Sequence, residues 1–119
     1  GFAHAMHDPT EGGLIDGLLE MALASEVTLA VDPDSIPVRD TTARLCRAAG
    51  IDPLRTFGSG ALLAAIPERD TERAIDRLRA HDIPATIIGT VNEADDPALV
   101  FGPTTFTAPV RDEMYQLWE

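Results

Sequence analysis

Apolar residues recur along the chain with two periods, and the switches between them mark the elements. From residue 10 to residue 26 the period is helical. Leu14, Leu18, Met21 and Ala22 lie on one stripe, which Ile15 and Leu19 widen. Thr10 is positioned to cap this helix, with Glu11 in its first turn, and Ser25 and Glu26 end it. Residues 27–31, Val-Thr-Leu-Ala-Val, read as a strand. Pro33 and Pro37 bracket a turn-rich connection. A second helix is predicted from Asp40, a good cap, to Ala49, with Gly50 as its left-handed stop. Residues 61–66 are almost continuously apolar and read as a central strand buried on both faces, ended by Pro67. A third helix is predicted over residues 70–81, with Ala74, Ile75, Leu78 and His81 at helical spacing. Residues 84–91 and 98–101 read as two more strands. Residues 109–119, carrying Met114, Leu117 and Trp118, read as a last helix. The first six residues read as the end of an element that began earlier, as in a domain cut from a longer protein. Helices alternating with strands in this way predict an α/β (α+β) fold with helices packed on a mixed sheet.

Composition narrows the functional classes. A chain of 119 residues that is 45% hydrophobic fits one domain around one core. Twenty acids face nine bases, for a net charge of -11; every base is Arg, and Lys is absent. That charge repels nucleic-acid backbones and anionic membranes, so neither is expected as a partner. Acidic, Lys-free surfaces suit concentrated salt, where the Debye length falls to about 3 Å at 1 M. A halophilic source is the expectation, and an acidic mesophilic domain the alternative. Cys46 is the single cysteine and lies in an apolar-periodic stretch, so it is expected to be a small buried residue. No disulfide framework and no Cys-based metal site are possible. No apolar run approaches the ~20 residues of a membrane span, and no signal-peptide pattern is present, which makes the cytoplasm the expected compartment.

Candidate chemistry concentrates in the loop His7-Asp8-Pro9-Thr10-Glu11-Gly12-Gly13. Two glycines in a first helical turn cost about 1 kcal/mol each relative to Ala, so some benefit must offset them. One benefit is close approach of a ligand or of another backbone, and helix N-terminal amides suit phosphate or carboxylate. The alternative is that the glycines let the helix pack tightly on the sheet. The turn Phe57-Gly58-Ser59-Gly60 could be a second ligand-facing loop or an ordinary turn before a strand. His4, His7, Asp8 and Glu11 are too few certain ligands for a transition metal, and none is expected. Asp16 and Glu20, four apart, could meet Mg²⁺ but read better as a solvated face.

The string Met-His-Asp-Pro-Thr-Glu-Gly-Gly-Leu at residues 6–14 resembles the Asp-Pro-Thr-Arg-Gly-Gly-Leu signature of HypE-like hydrogenase maturation proteins. These belong to the aminoimidazole ribonucleotide (AIR) synthase-related superfamily. The resemblance continues in order through Ile36-Pro37-Val38, the helix with Cys46, Gly50-Ile51-Asp52-Pro53-Leu54, Ser59-Gly60-Ala61-Leu62-Leu63 and Ile88-Gly89-Thr90-Val91. It covers nearly the whole chain and corresponds to the family's C-terminal domain.

The resemblance implies a division of labour. A separate N-terminal domain would hold most of the ATP and Mg²⁺ ligands and much of a homodimer interface. ATP would activate a substrate oxygen in the cleft between the domains, and a maturation partner protein is a further expectation. Asp8, Thr10, Gly12 and Gly13 would line that cleft, with Ser59 and Gly60 approaching from the sheet side. Two departures stand out. Glu11 replaces the usual Arg, which removes a cation from a phosphate-rich site. The chain ends Gln116-Leu117-Trp118-Glu119, without the terminal Cys of HypE-like proteins, so the HypE reaction by its usual route is not expected. An archaeal AIR synthase-related enzyme of undefined substrate fits better, its isolated C-terminal domain being inactive. The alternatives are a selenophosphate synthetase or thiamine-phosphate kinase relative, or a scaffold domain that kept the fold and lost catalysis.

Overall fold

The computed structural model describes every residue except Gly1, Ser59 and Glu119. Its centre is helix α1 (Gly13–Ser25), which buries Gly13, Ile15, Asp16, Gly17, Leu18, Leu19 and Ala22. The helix lies against a four-stranded mixed sheet in the order β4-β2-β5-β6. Strand β2 (Val27–Val31) runs parallel to β5 (Ala98–Phe101) and antiparallel to β4 (Gly89–Glu93), and β6 (Thr104–Phe106) pairs antiparallel with β5. The register sets Leu29 opposite Leu99 and Val31 opposite Phe101. Side chains alternate across a strand, so these four share one face. They join Ile15, Leu18, Leu19 and Ala22 in the core, where Leu19 and Leu99 are completely buried. The expected mixed sheet packed with helices is therefore present.

A second, two-stranded sheet pairs β1 (Ala5–His7) with β3 (Leu63–Ala65), antiparallel, and sets His7 opposite Leu63. Helices α2 (Asp40–Ala49) and α3 (Thr71–Ala80) lie outside the core. Gly50 ends α2 at φ 71°, as its lack of a side chain allows, and Cys46 is buried. Among the described residues no helix is long and apolar enough to cross a membrane.

Several expectations are corrected. The run at residues 61–66 is not a central strand. Only Leu63–Ala65 pairs, with β1 alone, and Leu62 is mostly exposed. The strand expected at 84–91 shrinks and shifts to Gly89–Glu93. Its ladder starts at Gly89 because β2 ends opposite it at Val31, and Pro33, just beyond, has no N–H to extend the pairing. The final helix is only a 3₁₀ turn, Glu113–Trp118; the segment leading into it is tied to distant residues instead, Val110 N–H donating to the Asp16 carboxylate and the Asp112 carboxylate accepting from Gly12 N–H. Arg39, not Asp40, occupies the α2 cap position and makes no side-chain cap bond. Strands β1 and β6, three residues each, were too short to leave a period in the sequence.

Candidate functional site

Strand β1 delivers the motif loop to the start of α1. His7 is its last residue, and Pro9 behind it is fully buried. The Thr10 carbonyl accepts two backbone bonds, from Gly13 N–H at 3.2 Å and from Gly58 N–H at 3.0 Å. The second bond ties the motif loop to the turn at residues 57–60.

Gly12 and Gly13 adopt φ of 80° and 70°, where a side chain is strained. Space forbids one as well. A Cβ on Gly12 would sit 2.5 Å from Asp16 Cβ, and one on Gly13 would sit 2.5 Å from the carbonyl oxygens of Leu54 and Thr56. The glycines thus admit the chain's own 54–56 segment and the Asp16 side chain, not the sheet. Thr10 does not cap the helix. The cap residue is Gly12, which has no side chain to offer.

A carboxylate from a hundred residues away supplies the missing cap. Gly12 N–H donates to Asp112 Oδ2 at 2.8 Å. Asp112 Oδ1 accepts Met114 N–H, also at 2.8 Å, and the residue is only 3% exposed. The positive end of the α1 dipole favours this anion. One turn on, buried Asp16 accepts Val110 N–H at 2.9 Å. Glu113 accepts Asp52 N–H and pairs with Arg55 at 3.5 Å. Residues 110–114 are therefore pinned across both the motif loop and the 52–56 turn. The Tyr115 phenol is pushed above its ordinary value, first by the Glu11 charge, then by burial, its hydrogen bond to Glu11 and the Asp112 charge, with Arg111 pulling the other way. The Arg111 guanidinium lies 5.7 Å from the centre of the Tyr115 ring.

On the outer side, His7 Nε2 meets Glu20 Oε2 at 2.6 Å. Asp16 and Glu20 therefore do not form one solvated face. Asp16 is buried and holds the C-terminal segment, whereas Glu20 is exposed and holds His7. Among the described residues no group of three or more His, Cys, Asp or Glu side chains converges as for a metal ion. Asp8 and Thr10 are exposed, Gly12 and Gly13 buried, and Gly60 exposed at φ 95°. Ser59 lies outside the described residues. Asp16 and Asp112 escaped the sequence reading as members of this loop. No local pattern pairs Asp112 with Gly12 across a separation of 100 residues. A groove of about 360 Å³ beside the 51–57 segment is lined by Leu45, Cys46, Phe57, Met114 and Leu117 among others. With no charged side chain in its wall, it does not suit phosphate.

The pattern defining the C-terminal domain of AIR synthase-related proteins matches residues 1–102. The chain belongs to this family. A putative hydrogenase expression/formation protein of Methanocaldococcus jannaschii is 40% identical over 88 residues, 72% of this chain and 26% of that protein. The carbamoyl dehydratase HypE of Azotobacter vinelandii is 39% identical over 103 residues, 85% of this chain and 30% of the relative. The crystal structure of the hydrogenase maturation protein HypE in complex with ATP superposes with a TM-score of 0.77 at 28% identity, over 93% of this chain and 37% of that one. The chain thus spans about a quarter to a third of the curated relatives it matches, and it is HypE-like in sequence and in fold.

Proposed function

We propose that this chain is the C-terminal domain of a two-domain, ATP-dependent HypE-like enzyme. In this reading an N-terminal domain holds ATP and Mg²⁺, and the motif loop faces the nucleotide across the cleft. There the loop orients a substrate carbonyl or carboxamide oxygen for activation. One observation carries the reading. The Asp8–Gly13 loop is fixed by three hydrogen bonds, made by the Gly12, Gly13 and Gly58 amides, yet Asp8 and Thr10 stay exposed at its surface. A rigid loop with outward polar groups suits substrate positioning, whose contribution comes from preset geometry.

The loop does not fit as a triphosphate cradle of its own. The Gly12 amide, the expected anion donor, is taken by Asp112, and Asp8 and Glu11 add negative charge beside it. This supports placing the phosphate-binding groups in the other domain. Thr10→Ala and Asp8→Asn, made in the chain joined to its ATP-binding domain, are expected to lower kcat at least ten-fold with nucleotide affinity within about two-fold. An unchanged kcat in both variants would remove the loop from the reaction.

A further inference from the structure

Gly12 and Gly13 stand side by side in the left-handed region, at φ of 80° and 70°. Glycine visits positive and negative φ with similar ease, so two in succession form a joint unless contacts from outside fix them. Inside the loop, the Gly13 N–H bond to the Thr10 carbonyl is 3.2 Å, at the long end for an amide. The stronger hold comes from residues 110–115, which lie past residue 102, where the family pattern stops.

This segment grips the start of α1 at three points. The buried Asp112 carboxylate accepts Gly12 N–H, Val110 N–H donates to Asp16, and the Tyr115 hydroxyl donates to Glu11. With its other side it holds the 52–56 turn, where Glu113 accepts Asp52 N–H and pairs with Arg55. The carbonyls of that turn are the atoms that crowd Gly13. Residues 110–115 thus strap together both walls of the glycine joint. Asp8 and Thr10, exposed on the same loop, take their direction from a backbone that the strap holds. A displacement of about 1 Å at a reacting group is enough to cost about a hundred-fold in rate.

We propose that Asp112 is a positioning residue for the reaction, and that the strap carrying it sets the orientation in which Asp8 and Thr10 meet the substrate. Tyr115 is the strap's second anchor, through Glu11. Asp112 touches no substrate and acts through the Gly12 amide. The inference rests on the reading of the motif loop as the substrate-orienting face. It goes beyond helix capping, because a cap alone acts on stability, whereas a positioning residue acts on turnover in protein that is fully folded.

The test uses the chain joined to its ATP-binding domain, with ATP and Mg²⁺ as the added probe and released phosphate as the readout. It is run at a temperature where circular dichroism shows each variant folded. Asp112→Ala is expected to lower kcat about ten-fold, with nucleotide affinity within about two-fold. Combined with Thr10→Ala, it should lose no more than the larger single loss, because both act through one loop. Tyr115→Phe should lower kcat about three-fold. Should Asp112→Ala not fold, Tyr115→Phe carries the test, with Glu11→Gln as its partner in the cycle. Unchanged kcat in the strap variants overturns the inference. Losses that multiply in the double variant also overturn it, as does a fall in nucleotide affinity that matches the fall in kcat. Failure of the loop reading looks different. Unchanged kcat in Thr10→Ala and Asp8→Asn removes the loop from the reaction, and the inference falls with it. Turnover lost in those two but normal in Asp112→Ala and Tyr115→Phe overturns the inference alone.

Discussion

Helices α1 and α2 are both predicted from the sequence, and they do opposite things in the fold. Helix α1 buries seven of its thirteen residues. Helix α2 buries one of its ten, Cys46, and leaves Leu45 66% exposed. Their ends contrast as well. The stop of α2 is local, a glycine in the left-handed region with no atom near its missing Cβ. The start of α1 is assembled from the turn at 54–56 and from Asp112, far along the chain. Local signals place an element, but distant contacts set its energetic weight and, at the motif loop, its boundary.

The sharpest way to break this contrast is to truncate one leucine on each helix. Leu19→Ala removes a fully buried side chain and should destabilise by about 3–5 kcal/mol. Leu45→Ala should stay within about 0.5 kcal/mol, as exposed substitutions usually do. Urea titrations of both variants check the pair, and similar losses would mean that α2 is as central as α1.

Glycines give the next largest effect. Gly13→Ala and Gly50→Ala place a methyl at nearly the same φ, 70° and 71°. Gly50→Ala should cost about 1–2 kcal/mol of backbone strain. Gly13→Ala adds contacts with three backbone atoms and should exceed that by at least about 1 kcal/mol in thermal unfolding. Equal costs would mean that the close approach at the motif is not constraining.

Asp112→Ala comes next, since it orphans the Gly12 and Met114 amides together. A loss of about 2 kcal/mol is expected, with faster hydrogen exchange at Gly12. Exchange at Gly12 unchanged from the parent would contradict the capping role.

The smallest effect is electrostatic. The raised Tyr115 phenol binds its proton more tightly in the folded state than in the unfolded one. Its contribution is present at neutral pH and disappears as alkali rises through the folded-state value. Tyr115 is the single tyrosine, so phenolate absorbance reads it alone. Glu11→Gln should move the transition to lower pH, and no movement would show that Glu11 is not the principal cause.

Much of the fold was legible because it is local. The stripe of Leu14, Leu18 and Ala22, the strands 27–31 and 98–101 and the Gly50 stop all appear where their residues place them. The motif loop was legible as a special place because two adjacent glycines ask for an explanation. Its contents were not. Asp16 reads as a surface acid until Val110 is found against it, and Asp112 has no neighbouring pattern that reveals its partner. The run 61–66 misled because apolar content reports burial somewhere but not which strands are available to pair.

The division of labour between this chain and an ATP-binding domain meets its most direct test in calorimetric titration of ATP and Mg²⁺ into the chain alone and into the chain joined to that domain. Binding is expected only in the joined protein, with heat from the chain alone no greater than that of dilution. Tight, saturable binding to the chain alone would contradict the proposal and place the nucleotide site on this domain.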